Sequence, residues 1–221
     1  LDACGFPLCK GNIMASNPEW CLSLDEWQDK FGDWIFRGDM PVLLNASIFF
    51  DFRPLYGKLA LAKALRKWLL GMTDSARLFL RLMAENALKS APPLGVIRDF
   101  VYDSKADFPH TLDLKAFGAR PVVDAARIIA LANGIAHSST VERLRAAALQ
   151  KLLGNDDVHA VIEGFFFIQQ LRLQNQRGGT APGGENRIDP DQLNELDRQV
   201  LKEAFKQVKR LQSRLQLEYR L

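Results

Sequence analysis

The sequence predicts a mainly α fold: an antiparallel helical bundle of five to seven helices, with a small α/β remnant at the N-terminus. Three observations lead there. From Leu55 onward, helix caps and helix stops such as Gly71, Pro92-Pro93, Gly134 and Gly154 alternate with apolar segments. The first third differs in character, carrying the aromatic and β-branched run Ile48-Phe49-Phe50-Asp51-Phe52. A chain of 221 residues, 48% of them hydrophobic, can also bury a sizeable core. The expected division is a remnant over residues 1–72 and a helical bundle over residues 73–221.

In chain order, Asn12 to Ser16 is a short strand candidate, and Asn17-Pro18 marks a turn because a residue before proline is pushed out of the helical region. Ser23 is a helix N-cap with Glu26 three residues on, the spacing of a capping box. That helix runs to about Arg37 and puts Trp27, Phe31, Trp34 and Ile35 on one face, and Gly38 to Pro41 breaks it. Ile48 to Pro54 is the best strand, with Ile48, Phe50 and Phe52 on one side and Phe49, Asp51 and Arg53 on the other. Leu55 to Leu70 is helical and ends at Gly71; Thr73 or Asp74 caps the next helix, which reaches about Ser90. Val101 to Thr111 is an irregular connector.

Pro121 in a first turn opens a helix to about Asn133, with Gly134 as its C-terminal cap. Ser139 or Thr140 caps a helix ending at Gly154, and Asn155 or Asp156 caps a long apolar one to about Gln176. Arg177 to Glu185 is a glycine-rich flexible loop. Asp189 with Pro190 opens the last helix. There Leu193, Leu196, Val200, Leu201, Ala204, Val208, Leu211 and Leu215 form an apolar stripe, which could close the same bundle or pair two copies as a homodimer. Lys202, Lys206, Lys209 and Arg210 lie largely off the stripe and read as a solvated face.

The charge balance, 29 basic against 26 acidic residues, is too even to suggest a nucleic-acid partner, and no Lys/Arg-dense stretch is interleaved with aromatics. No apolar run reaches the roughly 20 residues that span a bilayer, so no membrane partner is expected. Without a signal peptide the expected location is cytoplasmic. Cys4, Cys9 and Cys21 lack metal-site spacing and read as reduced packing residues. The opening Leu1-Asp2-Ala3-Cys4-Gly5 reads like the tail of a helix and a turn, which suggests a fragment of a longer protein.

Three polar clusters lie inside the helical segments, where polar residues cost stability unless they meet a partner or a ligand. They are Leu112 to Lys115 with Arg120 to Arg127, then Thr140 to Leu144, then Leu171 to Gln176. A hydrolase triad has no support from the scattered His110, His137 and His159, and Gly178 to Gly184 lacks the order of a phosphate loop.

Gly5 to Pro18, together with Ile48 to Gly57, resembles the C-terminal part of the nucleotidyltransferase domain found in bacterial signalling proteins, a relative of the catalytic domain of protein-PII uridylyltransferase. The pattern Asp51, Arg53, Gly57 fits it. The helical remainder resembles the substrate-binding domain that follows, through Leu112 to Lys115, Pro121 with Arg127, Thr140 with Glu142-Arg143-Leu144, Arg172 with Gln176, and Asn186 to Pro190. The resemblance implies transfer of a nucleotide to an acceptor protein or small molecule, with magnesium and a nucleoside triphosphate bound by the intact parent, and upstream CBS or cyclic-nucleotide-binding modules. The same superfamily carries a Gly-Ser turn followed by an Asp-x-Asp pair that holds the metal. Neither motif stands here on a strand; Asp189-Pro190-Asp191 has the spacing but sits at a helix start. Carboxylate-bound metal is central to that transfer, so the fragment is expected to be inactive alone and to bind no cofactor itself.

Each candidate residue has two readings. Asp51 and Arg53 are either nucleotide- or metal-adjacent groups or a local ion pair. Lys115, Arg120 and Arg127 suit a triphosphate or an acidic partner, since guanidinium pairs its donors on oxyanions; Arg127 equally suits a strut to Asp124 or Glu142. Arg143, Arg172 and Gln176 complete the substrate-binding candidates, the last two sharing a face four residues apart. The functional expectation is the acceptor-recognition half of a signalling nucleotidyltransferase, against a noncatalytic dimerisation module that passes a signal from upstream domains.

Overall fold

Ser23 opens the first helix as a reciprocal capping box: its backbone N–H donates to Glu26 Oε2 at 2.7 Å and its Oγ accepts from the Glu26 N–H at 3.3 Å. Helix α1, Leu24–Arg37, then buries Phe31 and Ile35, with Trp27 and Trp34 packed beside them as an aromatic cluster that also takes in Phe49, Phe50 and Phe52. The computed structural model describes residues 2–6, 8–9, 11–14, 16–37, 47–95, 99–102, 108–178, 184 and 186–221. The break expected at Gly38 to Pro41, part of the connector before Thr111 and most of the glycine-rich loop lie outside them.

The molecule is mainly α. Helices α2, Leu59–Ser75, and α3, Arg77–Ala87, are followed by α4, Arg120–Ala132, α5, Thr140–Leu149, α6, Asn155–Gly178, and α7, Glu195–Tyr219. Helix α4 is the central one. It packs on α2, α3, α5 and α7, and Val122, Ala125, Ala126, Ile128, Ala130 and Leu131 are all buried. Burying a large aliphatic side chain of this kind contributes about 1.5–3 kcal/mol. Strand β1, Leu112–Asp113, pairs antiparallel with β2, Arg187–Ile188, so the two polar segments that flank the bundle in sequence meet in space. A π-helical turn, Lys115–Ala119, leads from β1 into α4, with the Ala116 N–H donating to Asp113 Oδ1 at 2.8 Å.

The α7 stripe closes its own bundle. Leu201, Ala204, Val208, Leu211 and Leu215 are buried, and Phe205, outside the expected stripe, is buried as deeply. Leu196 and Val200 are exposed instead.

Several expected elements differ. Ile48 to Pro54 is no strand: Ser47–Asp51 is a 3-10 helix, and the Phe50 and Phe52 carbonyls that a ladder would use accept from Arg66 on α2, Nη1 to Phe50 O at 2.6 Å. The described residues of the Asn12 to Ser16 segment turn rather than extend, with Asn12 at φ 54° and its carbonyl accepting from Asn17 Nδ2 and Trp20 Nε1. Helix α2 starts at Leu59 and runs through Gly71, where a Cβ would meet no neighbour, to Ser75. Thr73 does not cap α3; it is buried and donates to Leu131 O at 2.9 Å, and Ala76 makes the break. Helix α5 stops at Leu149, short of Gly154, with Lys151 at φ 58°. Asp189 and Pro190 open a separate 3-10 turn, Pro190–Gln192, while Asn194 caps α7 by accepting from the Asp197 N–H at 2.8 Å. The three cysteines lie exposed, without disulfides, rather than packed.

Candidate functional site

Three of the sequence candidates, Asp51, Arg127 and Arg143, converge into one polar knot. Arg127, placed on the inner face of α4 by the helical spacing, forks onto Asp51 through Nε to Oδ1 at 3.1 Å and Nη2 to Oδ2 at 2.6 Å. Its third nitrogen, Nη1, meets Asp124 Oδ1 at 2.7 Å, one turn back on the same helix. Arg143 arrives from α5: Nη2 lies 2.6 Å from Asp51 Oδ1 and Nε donates to His137 O at 2.7 Å. The two guanidinium side chains are 5% and 1% exposed, so their charges are held away from water and depend on these partners.

The electrostatics follow the count of partners. Burial alone would push Asp51 up, but the hydrogen bonds and charges of Arg127 and Arg143 outweigh it and hold the carboxyl below its ordinary range. Burial likewise opposes the charge on both arginines. Arg127, with two carboxylates, ends above its usual value; Arg143, which shares one carboxylate and faces Arg127, ends below it. Arg66 completes the cluster and is lowered to about 10 by burial and by Arg143, against the pull of Asp51. It is occupied by the Phe50 and Phe52 carbonyls and stacks 4.1 Å over the Phe52 ring. Three cations therefore face two carboxylates, and the surplus shows as Arg143 Nη1, buried with no hydrogen-bond partner among the described residues.

The other candidates scatter. Arg53 is exposed and makes no local pair with Asp51 among the described residues, both Asp51 oxygens facing guanidinium groups from α4 and α5 instead. Asp51 is thereby unsuited as a magnesium ligand, since a cation would have to displace two arginines from the same oxygens. Among the described residues no three of His, Cys, Asp and Glu are grouped so as to hold a metal ion. Lys115 is exposed on the π-helical turn, and Arg120, also exposed, reaches Asp124 at 3.6 Å on the rim of the knot. Arg172 on α6 holds the β2 approach, with Nε and Nη2 on Asn186 Oδ1 at 3.0 and 2.6 Å and Nη1 on Gln169. Gln176 shares the helix but is exposed and does not join it.

A second region was not among the sequence candidates. Helices α6 and α7 cross where Gly164 meets Ala204: a Cβ on Gly164 would stand 3.1 Å from the Ala204 Cα. Away from that crossing, the first turns of α6 and the second half of α7 border a groove of about 570 Å³. Leu144, Val158, Val161 and Leu211 supply its floor, and Lys206, Lys209, Arg210 and Arg214 line its α7 side. The signal for it in the sequence is the basic residues at three- and four-residue spacing from 206 to 214, which the solvated-face reading absorbed.

Residues 77–219 match the family model described as "Putative nucleotidyltransferase substrate binding domain". The chain belongs to this substrate-binding family. Residues 1–40 match a second model, "Putative nucleotidyltransferase DUF294". Comparison with curated proteins and with solved structures gives no significant match. The groove lies wholly inside the substrate-binding domain, as do Arg127 and Arg143, whereas Asp51 and Arg66 fall between the two matched regions. No helix among the described residues is long and apolar enough to cross a membrane.

Proposed function

We propose that this chain is the acceptor-recognition part of a bacterial signalling nucleotidyltransferase resembling protein-PII uridylyltransferase, working in the cytoplasm, and that it does not perform the transfer alone. The observation that carries the reading is the docking of the transferase-like piece on the substrate-binding bundle. Helix α1, within the residue 1–40 match, packs on α2, and α2 packs on the central α4. Asp51 then anchors the intervening segment to α4 and α5 through two buried arginines. A bundle fixed in this way holds an acceptor at a constant distance from a nucleotide bound upstream, which is how orientation lowers a transfer barrier. Arg120, exposed on the rim of the knot, and Lys115, exposed on the π-helical turn that leads into α4, are cations available to an anionic acceptor group.

The chemistry is assigned elsewhere on two grounds. The sequence has no Gly-Ser turn with a strand-borne Asp-x-Asp pair, and Asp51 is engaged by arginine. Magnesium and the nucleoside triphosphate therefore belong to residues outside this sequence. The dimerisation reading loses its main support, because the α7 stripe is buried in its own bundle.

Thermal melts of this chain with ATP, UTP, GTP and CTP, with and without magnesium, test the reading. A ligand at about 100 times its Kd adds roughly 2.7 kcal/mol, a shift of several degrees. The expected result is no selective magnesium-dependent shift. A clear one would put the triphosphate site in this chain and overturn the assignment. In the intact enzyme, Lys115→Ala with Arg120→Ala is expected to raise KM for the acceptor while leaving KM for the nucleotide unchanged.

A further inference from the structure

The groove between α5, α6 and α7 has a shape, a lining and a charge distribution that together select one kind of occupant. Its shape follows from the Gly164 crossing: α6 and α7 are pressed together there, and the groove opens towards the first turn of α6 and the second half of α7. Arg214 bounds it at the far end, Nη2 donating to Leu152 O at 3.2 Å. The α7 wall from Lys206 to Leu217 is about 17 Å long at 1.5 Å per residue. A groove of this length accepts a chain lying along it. Its volume of about 570 Å³ is that of a site for one small ligand.

The lining decides the chemistry of the ligand body. Leu144, Val158, Val161 and Leu211 are buried aliphatic side chains, and among the described residues no aromatic borders the groove, so these offer a nucleobase nothing to stack on. An alkyl chain would fill the same space by burial alone.

The charges decide the head group. Of the four cations on the α7 wall, Lys206 is paired with Glu203 at 3.0 Å and Arg214 is turned to the Leu152 carbonyl. Arg210 makes a 3.4 Å contact to Gln207 Oε1 and lies within electrostatic reach of Glu203 without an ion pair to it, and Lys209 makes no ion pair among the described residues. Both are exposed at the groove's edge, and among the described residues the acidic one in the lining is Asp157 on the opposite wall.

We propose that this groove binds an anion carrying a single aliphatic chain, a fatty carboxylate or an alkyl phosphate, with the chain on Leu144, Val158, Val161 and Leu211 and the head group against Lys209 and Arg210. The site goes beyond the acceptor reading and does not depend on it, because its occupancy is read without nucleotide or transfer.

Calorimetric titration of the whole chain with dodecyl phosphate and with dodecanoate, both below their micelle concentrations, tests it. Dodecyl maltoside serves as a neutral-head control, inorganic phosphate as a head-only control, and a Lys209→Ala, Arg210→Ala double variant is titrated in parallel after its melt confirms that it folds. The expected result is one site per chain for at least one of the two anions, with affinity about tenfold or more weaker for both controls and for the double variant. Tighter binding of dodecyl phosphate than of dodecanoate assigns the head group to phosphate, and the reverse order assigns it to carboxylate. Absence of binding by both anions overturns the proposal, as does equal affinity for the neutral maltoside or for the double variant. Sedimentation with phosphatidylglycerol vesicles in the absence of any monomer binding would also overturn it, in favour of a bilayer surface.

Discussion

At the Asp51 knot, guanidinium and carboxylate groups lie within about 3 Å of one another and the arginines are nearly inaccessible; at the α6–α7 groove, Lys206 is paired with Glu203, while Lys209 and Arg210 stand exposed at the edge of an apolar floor without an ion pair among the described residues. Both regions are arginine-containing faces of helices in one bundle. The difference lies in where the counter-charge sits. Asp51 reaches Arg127 across 76 residues of sequence, and the knot it completes leaves both arginines nearly inaccessible. Among the described residues, the carboxylate that lines the groove is Asp157, on its far wall. A buried, compensated cluster acts as a strut, and an exposed, uncompensated one acts as a binding edge.

The largest expected effect separates the two directly. Asp51→Ala leaves Arg127 and Arg143 buried with their main partner gone and is expected to cost about 3–5 kcal/mol, measured as a lower denaturation midpoint in urea. A loss below about 1 kcal/mol would mean that the arginines reach water or other acceptors, and the knot would then resemble the groove.

Acid should reproduce part of that loss. The Asp51 carboxyl is held below its unfolded value, so its contribution is complete above about pH 4 and declines as pH falls through the folded-state value. Urea titrations at pH 7 and pH 3 are expected to show the wild type and Asp51→Ala converging in stability at the lower pH. A difference that stays constant would assign the stabilisation to packing of the 3-10 turn rather than to charge.

Gly164→Ala tests the crossing that makes the groove. The added methyl would stand 3.1 Å from the Ala204 backbone, an overpacking that costs about 1–3 kcal/mol against a gain of at most about 1 in helix propensity. A net loss of about 1–2 kcal/mol is expected, and a stabilised variant would show that the helices part without cost.

Where the determinants were local, the sequence was readable. The Ser23 and Glu26 capping box, Pro121 in the first turn of α4 and the start of α6 are set by residues within one turn of each other, and all three stand as expected. The Ile48 to Pro54 run was misread because aromatic and β-branched content states only a preference for a pleated surface. Arg66, on the next helix, takes the carbonyls a partner strand would need. Thr73 illustrates the same limit: a plausible cap by sequence, it is consumed by a hydrogen bond to Leu131 O, 58 residues away. Candidate site residues were legible as polar side chains in helical segments, but their partners were not. Nothing near Arg127 in sequence identifies Asp51 as its counter-ion, and nothing near Lys209 indicates that it has none among the described residues.

The smallest stability effect is expected at the groove edge. Lys209→Ala and Arg210→Ala remove exposed cations that make no ion pair among the described residues, Arg210 having a 3.4 Å hydrogen bond to Gln207 and the longer-range attraction of Glu203, so each should change unfolding free energy by no more than about 0.5 kcal/mol. Set beside Asp51→Ala in the same urea assay, this gives the comparison its sharpest form: charged residues on neighbouring helices, several-fold apart in what they contribute to folding. A loss of 2 kcal/mol or so at Arg210 would show that it braces α7 through Gln207, and the groove edge would then be structural like the knot. Near-neutral variants leave these cations without a folding role, so that whatever keeps them beside an apolar floor must be sought in what the floor binds.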